Sequence, residues 1–192
     1  MSRHNLHHLP GILPFAHNLL RHALQPGDCA LDATAGNGHD TLLLAQCVGA
    51  HGHVYAFDVQ PPALAATRAR LQQAGLLERA TLIADSHAHL RQHITAGLKA
   101  AVFNLGYLPG SDKTVVTQPT STVSALTQAL DLLLPGGVLV VVIYHGHSGG
   151  EEERQAVEHW CAALDSQYAV AVRYQLVNQS GPPPYVLAVE KR

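Results

Sequence analysis

The sequence contains few charged residues and little cysteine. Only 14% of its 192 residues are charged and 47% are hydrophobic, which excludes the disordered and coiled-coil classes. The three cysteines (Cys29, Cys47 and Cys161) are too widely spaced for a disulfide framework or a zinc motif, and this indicates a reducing compartment. No uninterrupted apolar run could span a membrane, and residues 1–11 contain no apolar signal core. We therefore expect a cytoplasmic protein that has no membrane partner.

The charge balance limits the kind of partner. A net charge of −2 is not typical of a protein that coats long nucleic acid through its phosphates. Lysine and arginine number twelve and are scattered, with Arg68, Arg70 and Arg79 as the densest group. A folded RNA therefore remains a possible partner, whereas the charge balance disfavours a DNA-coating role.

Histidine is abundant, with fourteen residues. Four near-neighbour pairs could suggest metal ligands: His7/His8, His51/His53, His87/His89 and His145/His147. None of these pairs has the third ligand that a metal site needs. We predict surface and turn histidines and no metal site.

Strand-like and helix-like segments alternate along the chain. The predicted strands are 28–33, 53–57, 81–84, 101–103 and 137–144, and the predicted helices are 13–24, 39–48, 61–74, 120–134 and 150–164. Residues 169–177 and 185–190 predict a terminal antiparallel hairpin. This order predicts one α/β domain over residues 1–192, with residues 1–26 as an N-terminal helical extension. Its sheet is doubly wound, seven-stranded and mostly parallel, with helices on both faces, so ligands are expected at the carboxyl ends of its strands.

The first strand is followed by a turn with two glycines. Gly36 and Gly38 would let the backbone approach a ligand, and the next helix presents free N–H groups there. A dinucleotide-binding loop needs a third glycine in the pattern GxGxxG, but that position is Thr41. The turn therefore disfavours a dinucleotide, although any tight strand-to-helix turn could use the same glycines.

Polar residues also follow the second and third strands. Asp58 could accept hydrogen bonds from both hydroxyls of a ribose, and Gln60 could reach the nucleoside from the same turn. Asp85, Ser86 and His87 would lie beside a base, and Asp85 or Ser86 could equally cap the short helix that follows. Together these positions predict a nucleoside site.

The last two strand ends carry candidate catalytic groups. Asn104 opens the segment NLGYLPGSD, which resembles the Asn-Pro-Pro-Tyr signature of methyltransferases that act on amino nitrogens, with Leu105 and Gly106 in place of the prolines. Tyr107 in this segment could stack against a base. Tyr144 and His145 follow a wholly apolar strand, where a glycine-rich exit loop is the alternative interpretation.

Several motifs together resemble one family. DATAGNGHDT, FDVQ, FNLGYLPGSDK, VIYHGH and RYQLVNQ occur in matching order from about Leu13 to Arg192. In this respect the chain resembles the tRNA 5-(aminomethyl)-2-thiouridine methyltransferase family, once labelled an rRNA methylase family.

The resemblance implies a Rossmann-like class I methyltransferase fold that uses S-adenosylmethionine. The implied substrate is the wobble uridine in a tRNA anticodon loop, and a homodimer is implied as well. The family's cofactor contacts fall on Asn37, His39, Asp58, Gln60, Ser86 and His87.

These positions lead to a hypothesis about catalysis. Asn104 orients the acceptor amine, Tyr107 packs on the thiouridine, and Asp112, Tyr144 or His145 helps to remove the proton. The alternatives are a methyltransferase for rRNA or a small-molecule amine, an NAD-dependent oxidoreductase, and a module that binds the cofactor or scaffolds RNA without catalysis.

Overall fold

The computed structural model describes residues 9–106, 117–146 and 149–192. Within them the helices are α1 (Ile12–Ala23), α2 (His39–Cys47), α3 (Pro61–Gln73), α4 (Leu90–His93), α5 (Pro119–Leu132) and α6 (Gly150–Ala162). The strands are β1 (Cys29–Asp32), β2 (His53–Phe57), β3 (Ala80–Ile83), β4 (Leu98–Leu105), β5 (Leu133–Ile143), β6 (Ala169–Tyr174) and β7 (Tyr185–Lys191). Short 3-10 turns occupy Leu77–Arg79 and His87–His89.

The described strands form one seven-stranded sheet in the order β3-β2-β1-β4-β5-β7-β6. The first five strands along the chain pair in parallel, whereas β7 is antiparallel to both β5 and β6. The strand order reverses between β1 and β4, so the crevice for a ligand is expected at their carboxyl ends. The predicted mostly parallel sheet with a terminal antiparallel hairpin is confirmed.

Alternating residues of the strands supply two separate cores. Leu31, Phe103 and Val141 point to the face that α4, α5 and α6 cover. Ala30, Val102 and Val140 point to the opposite face, which α1, α2 and α3 cover. Both faces of the central strands are therefore apolar, as is typical of a parallel sheet between two helix layers. The predicted helices on both faces are confirmed.

Helix α1 packs directly on the sheet. Its apolar residues recur at helical spacing, so Ile12, Ala16 and Leu20 are buried on one side in the same core as β4 and β5. Phe15 stacks on Tyr174 of β6 with ring centroids 3.9 Å apart, and the Tyr174 hydroxyl donates to the Pro10 carbonyl at 2.7 Å. Helix α1 thus brings Leu13 and His17 to the wall of the crevice.

Strands β4 and β5 extend beyond their predicted bounds, and β6 ends at Tyr174 instead of 177. Strand β4 runs from Leu98 to Leu105, well beyond the predicted 101–103, so Asn104 belongs to the strand itself. Strand β5 begins at Leu133, before the Pro135-Gly136-Gly137 stop, because Leu133 pairs with Leu98 ahead of a register shift. Lys99 Nζ donates to the carbonyls of Pro135 and Gly136, so these two backbone acceptors of the irregular stretch have a hydrogen-bond partner. Across the described ranges, no helix has both the length and the apolar character to cross a membrane.

Candidate active site

A cavity of about 950 Å³ opens at the carboxyl ends of the parallel strands. Its wall includes residues that follow β1, β2, β3, β4 and β5, as expected for a doubly wound sheet. Nine of the predicted site residues line it: Asn37, His39, Asp58, Gln60, Ser86, His87, Asn104, Tyr144 and His145. The other two, Tyr107 and Asp112, lie outside the described residues.

The glycine turn is held from behind by α3. Gly38 has a φ of +76°, and a Cβ there would come within 2.7 Å of the Thr67 Cα. The Thr67 hydroxyl donates to the Gly36 carbonyl at 3.1 Å. The sequence argument assigned the close approach to a ligand, but at Gly38 the close neighbour is α3. The absence of a side chain at Gly38 therefore lets the turn pack closely against α3. In this position of the turn, Gly36 and Asn37 line the cavity.

Arg70 of α3 supports the same turn. Its Nε donates to the Asn37 carbonyl at 2.7 Å, and its Nη2 lies 3.2 Å from His39 Nε2. Because guanidinium only donates, His39 Nε2 must accept, which leaves the proton of the neutral ring on Nδ1. Arg70 thus holds two predicted cofactor residues in place and is more than a solvated helix residue.

Asp58 links the turns after β1 and β2. Its Oδ2 accepts from the Gly36 N–H and its Oδ1 accepts from the Gln60 N–H, both at 2.9 Å. A carboxylate oxygen can accept more than one hydrogen bond, so each oxygen retains capacity for a hydroxyl. Val59 next to it is 58% exposed and lines the cavity. The turn therefore combines a hydroxyl acceptor with an apolar surface on which a flat ring can pack.

The turn after β3 presents a neutral imidazole. Ser86 accepts from the Ala88 N–H at 3.2 Å, so the predicted cap is present while Ser86 also lines the cavity. His87 is buried, and its Nδ1 donates to the Ala33 carbonyl at 3.3 Å. Burial lowers the pKa of His87 below its usual value. The ring is thus neutral near pH 7 and offers Nε2 as an acceptor.

Asp85 in the same turn lines the cavity and is bonded to two histidines. It accepts hydrogen bonds from His93 and His89, each at 2.8 Å, and these bonds together with the Ser86 N–H lower its pKa to about 2. Its carboxylate is therefore charged throughout the physiological range, and its neighbours orient it away from a capping role.

Asn104 is joined to a buried carboxylate. Its Nδ2 donates to Asp40 Oδ2 at 2.5 Å, and its backbone N–H donates to the Thr34 hydroxyl at 2.8 Å. Asp40 Oδ1 lies 2.7 Å from His17 Nε2 of α1. Because an ionised carboxylate has no hydrogen, the imidazole must be the donor in that contact. The three side chains form a row across the cavity wall, from β4 through α2 to α1.

A second carboxylate lies beneath this row. Asp32 at the end of β1 is fully buried and accepts from the Thr41 hydroxyl at 2.6 Å and the Thr34 N–H at 3.1 Å. Burial, together with the nearby charge of Asp40, raises the pKa of Asp32 to about 7. Asp32 therefore shapes the turn and does not line the cavity.

Tyr144 and His145 come directly after β5 and line the same cavity. Burial and the Asp40 charge both raise the pKa of Tyr144, so its phenol remains a donor near neutral pH. His145 Nε2 donates to the Pro183 carbonyl at 3.3 Å, and its Nδ1 lies 3.9 Å from Glu151 Oε2. His145 is thus tied to the β6–β7 connection and to α6.

A buried glutamate joins α6 to α5 and to Thr117, which comes just before α5. Glu153 is 1% exposed and accepts from the hydroxyls of Thr117 and Thr122, both at 2.6 Å. Thr117 in turn accepts from the Gly106 N–H at 3.0 Å and donates its own N–H to the Gly106 carbonyl at 3.2 Å. Gly106 and Thr117 are thereby held side by side at the cavity.

Sequence reasoning did not identify His17, Asp40 or Glu153 as members of this site. Asp40 and Glu153 are acidic residues in the first turn of a helix, where a carboxylate is ordinarily explained by the helix dipole. His17 is one of fourteen histidines in the chain, and it lies on an amphipathic helix that needs no functional explanation. A signal was available for Asp40, since it closes the motif DATAGNGHD, but its partners come from distant parts of the chain.

Comparisons with known proteins agree with this geometry. The family described as "Putative rRNA methylase" matches residues 54–190. A protein of Arabidopsis thaliana, "tRNA (mnm(5)s(2)U34)-methyltransferase, chloroplastic", is 36% identical over 92% of this chain and 68% of its own length.

Two solved structures superpose closely on the chain. A "putative rRNA-methylase" of Clostridium thermocellum has a TM-score of 0.94 at 38% identity, covering 96% of this chain and 99% of its own. A "putative methyltransferase" of Streptococcus mutans "in complex with SAH" has a TM-score of 0.89 at 37% identity, with the same coverage. The resemblance drawn from the motifs and the class I methyltransferase fold are both confirmed. This chain belongs to the family described as "Putative rRNA methylase".

Proposed function

We propose that this chain methylates the primary amine of 5-aminomethyl-2-thiouridine at the tRNA wobble position, giving 5-methylaminomethyl-2-thiouridine. Its enzyme class is that of an S-adenosylmethionine-dependent methyltransferase, as the sequence predicts and its relatives bear out. The proposal therefore concerns the acceptor and the residues that serve it. The observation that carries it is the pairing of Asn104 with Asp40 in the cavity that also contains Asp58.

The cavity residues fit S-adenosylmethionine. Asp58 has acceptor capacity for the two ribose hydroxyls, and exposed Val59 offers an apolar surface to the adenine. Ser86 and neutral His87 supply polar groups for the edge of the base. Asn37, His39 and Gln60 complete the set that would hold the nucleoside and the amino-acid part.

Asn104 suits an amine acceptor. Because its Nδ2 donates to Asp40, its Oδ1 remains as the acceptor of the amide and can take an N–H from a substrate amine. When bound, S-adenosylmethionine supplies a methyl group that its sulfonium sulfur makes electrophilic. Asn104 then contributes by holding the nitrogen lone pair in line with that methyl, since positioning supplies much of the acceleration in a displacement reaction.

The remaining predicted roles are part of the same proposal. Tyr107 would pack on the thiouridine, and the candidates that the sequence offers for assisting proton removal are Asp112, Tyr144 and His145. Tyr144 serves better as a hydrogen-bond donor than as a base, because its raised pKa keeps the phenol protonated.

The RNA partner agrees with the modest charge of the chain. A wobble base lies in a single-stranded loop, which proteins recognise by splaying out and stacking the base more than by neutralising a long phosphate backbone. The name of the Arabidopsis relative supports tRNA over rRNA. A homodimer and a cytoplasmic location complete the proposal, and the three free thiols are consistent with a reducing compartment.

An assay with the purified chain tests the acceptor. We expect S-adenosylmethionine to methylate tRNA that carries 5-aminomethyl-2-thiouridine, but not the same tRNA with an unmodified wobble uridine. Mass spectrometry of the digested nucleosides identifies the product. Methylation of rRNA or of a small-molecule amine in place of this tRNA would contradict the proposal. Light scattering of the purified chain tests the homodimer separately.

A further inference from the structure

Asp40 is a buried carboxylate in the wall of the cavity. The residue is 9% exposed, and its hydrogen-bond donors are an amide, Asn104, and an imidazole, His17, in place of a lysine or arginine. Each of its oxygens receives one of these bonds and retains capacity for another. The site can therefore accept an additional donor without losing either existing partner.

The groups around Asp40 come from four elements, and none of the described residues that line the cavity is a lysine or an arginine. His17 faces it from α1, and Asn104 faces it from β4. Asp32 at the end of β1 and Tyr144 after β5 are close enough for the Asp40 charge to raise the pKa of both groups. A cavity wall with this potential attracts a cation, and the free amine of the proposed substrate is an ammonium near neutral pH.

Two of the other candidates for proton removal, His145 and Tyr144, lie in the described part of the chain and are less suited to it. His145 is bonded to the Pro183 carbonyl and faces Glu151, and the Tyr144 phenol is the wrong protonation state for a base. Asp40 and Asn104, in contrast, are in direct contact, so a nitrogen bonded to the Asn104 amide oxygen lies beside the carboxylate.

We propose that Asp40 binds the substrate ammonium and takes its proton, and that His17 is a positioning residue that holds the carboxylate toward the substrate. This inference rests on the proposed function, because it assumes an amine acceptor in this cavity. One proton passes from the ammonium nitrogen to a carboxylate oxygen of Asp40, leaving a lone pair on the neutral amine. That pair forms the new C–N bond to the methyl carbon, the C–S bond breaks, and its electrons remain on sulfur as a neutral thioether. The product is a secondary ammonium, and Asp40 returns its proton to solvent.

The pH dependence of the Asp40→Asn variant is the main test. Without the carboxylate, only amine that has already lost its proton can react, so the single-turnover rate should rise about tenfold per pH unit toward the amine pKa of roughly 10. We expect a loss of about 100-fold or more near neutral pH, shrinking as the pH rises. A loss of equal size at every pH would mean a structural role and would overturn the inference.

Binding gives a readout that does not depend on turnover. With S-adenosylhomocysteine bound, the wild-type chain should prefer an anticodon stem-loop with the aminomethyl group over one with plain uridine. Asp40→Asn should lose this preference while its affinity for S-adenosylhomocysteine stays within about twofold, as measured by calorimetry. An unchanged preference would contradict the assignment of Asp40.

His17 variants keep the inference testable if Asp40→Asn does not fold. A glutamine amide can replace the imidazole N–H as a donor, so His17→Gln should retain most of the rate that His17→Ala loses. His22→Ala is the matched control, because His22 is on the same helix, exposed and bonded to the Asn18 carbonyl. Equal losses in His17→Gln and His17→Ala, or a loss of the same size in His22→Ala, would overturn the positioning role.

Failure of the proposed function has a different signature. If the wild-type chain methylates a small-molecule amine and not this tRNA, the tRNA proposal fails, and the same pH profile on that amine decides the role of Asp40. If the wild-type chain methylates an acceptor that has no amine, both proposals fail.

Discussion

Thr41 donates a hydrogen bond of 2.6 Å from its hydroxyl to Oδ2 of Asp32, and both side chains are completely buried. Position 41 is where a dinucleotide-binding loop would carry its third glycine. The threonine replaces that glycine with a partner for the carboxyl group at the end of β1. The departure from the dinucleotide pattern thus has a structural purpose in this chain.

Thr41→Val should destabilise the fold. Valine keeps the shape of threonine but leaves Asp32 without its shortest donor, and an unsatisfied buried group costs about 1 to 3 kcal/mol. Urea unfolding measures the loss. Thr81→Val makes the same change at an exposed hydroxyl and should stay within about 0.5 kcal/mol of the wild type. Equal effects in the two variants would contradict the role of Thr41.

Asp32 should make the folded state less stable as the pH rises. Its pKa is 3.8 in the absence of the fold and about 7 in it, so between these values the folded chain holds a proton that the unfolded chain has released. Asp32→Asn removes this term, and its free energy of unfolding should fall less than that of the wild type over this pH range. Because the lowered pKa of His87 acts in the opposite direction, the difference between the two proteins is the quantity to follow. Parallel pH profiles would disprove the shift.

Gly38→Ala should be more harmful than Gly75→Ala. Both glycines have positive φ, +76° and +67°, so both variants incur the strain of a left-handed alanine. At Gly38 the new Cβ would also meet the Thr67 Cα at 2.7 Å, whereas at Gly75 it meets nothing within 4 Å. We expect Gly38→Ala to lose about 1 kcal/mol more in urea unfolding, together with weaker S-adenosylhomocysteine binding. Equal losses in the two variants would show that backbone strain alone governs both sites and would contradict the role of the Thr67 contact.

Asp58→Ala should weaken cofactor binding. The substitution removes the acceptor for the ribose hydroxyls and releases the Gly36 and Gln60 N–H groups. Calorimetry should show an affinity for S-adenosylhomocysteine that is about 10- to 100-fold lower, since hydrogen bonds to charged groups are worth about 1.5 to 3 kcal/mol. Asp165→Ala, an exposed substitution in the connection between α6 and β6, is the control. Unchanged affinity in Asp58→Ala would place the nucleoside elsewhere.

Glu153→Ala should impair turnover while leaving cofactor binding intact. It leaves the Thr117 and Thr122 hydroxyls without an acceptor, which frees Thr117 from α6 and costs about 2 kcal/mol of stability. We expect the methylation rate to fall by roughly tenfold or more, with S-adenosylhomocysteine affinity unchanged. Glu152→Ala changes the exposed neighbour on the same helix and should match the wild type in both measurements. A similar loss of turnover in Glu152→Ala would contradict the claim that Glu153 supports turnover by holding Thr117.

The order of elements was predictable because each element carries its own local pattern. Apolar periodicity and the Gly and Pro positions indicated every long helix and all seven strands. The boundaries of β4 and β5 were not predictable from the sequence. Leu98 and Leu133 extend their strands because they pair with each other, and they are 35 residues apart in the chain. Local propensity around Pro135 and Gly136 indicated a stop at the same place.

The cavity residues also fall into two groups: those that a local sequence pattern predicts, and those that only the packing of helices brings together. Asp58 and Ser86 were predictable because they come within three residues of the end of a strand, and a doubly wound sheet gathers such positions at one edge. The contact between His17 and Asp40 depends on how α1 packs over the sheet, and the contact between Gly38 and Thr67 depends on how α3 packs behind the turn. Neither packing angle is encoded in a local pattern.

The two hydrogen bonds between Gly106 and Thr117 also bear on how specificity can evolve. Since this closure is fixed by groups at the base of the segment and by Glu153 beneath it, the residues between them can change in number and kind at a small entropic cost, about 0.6 kcal/mol per doubling of length. The closure between Gly106 and Thr117 therefore does not depend on which residues lie between them. A chain with a different segment at this position would meet a different acceptor, and it would keep the same sheet and the same turn around Asp58.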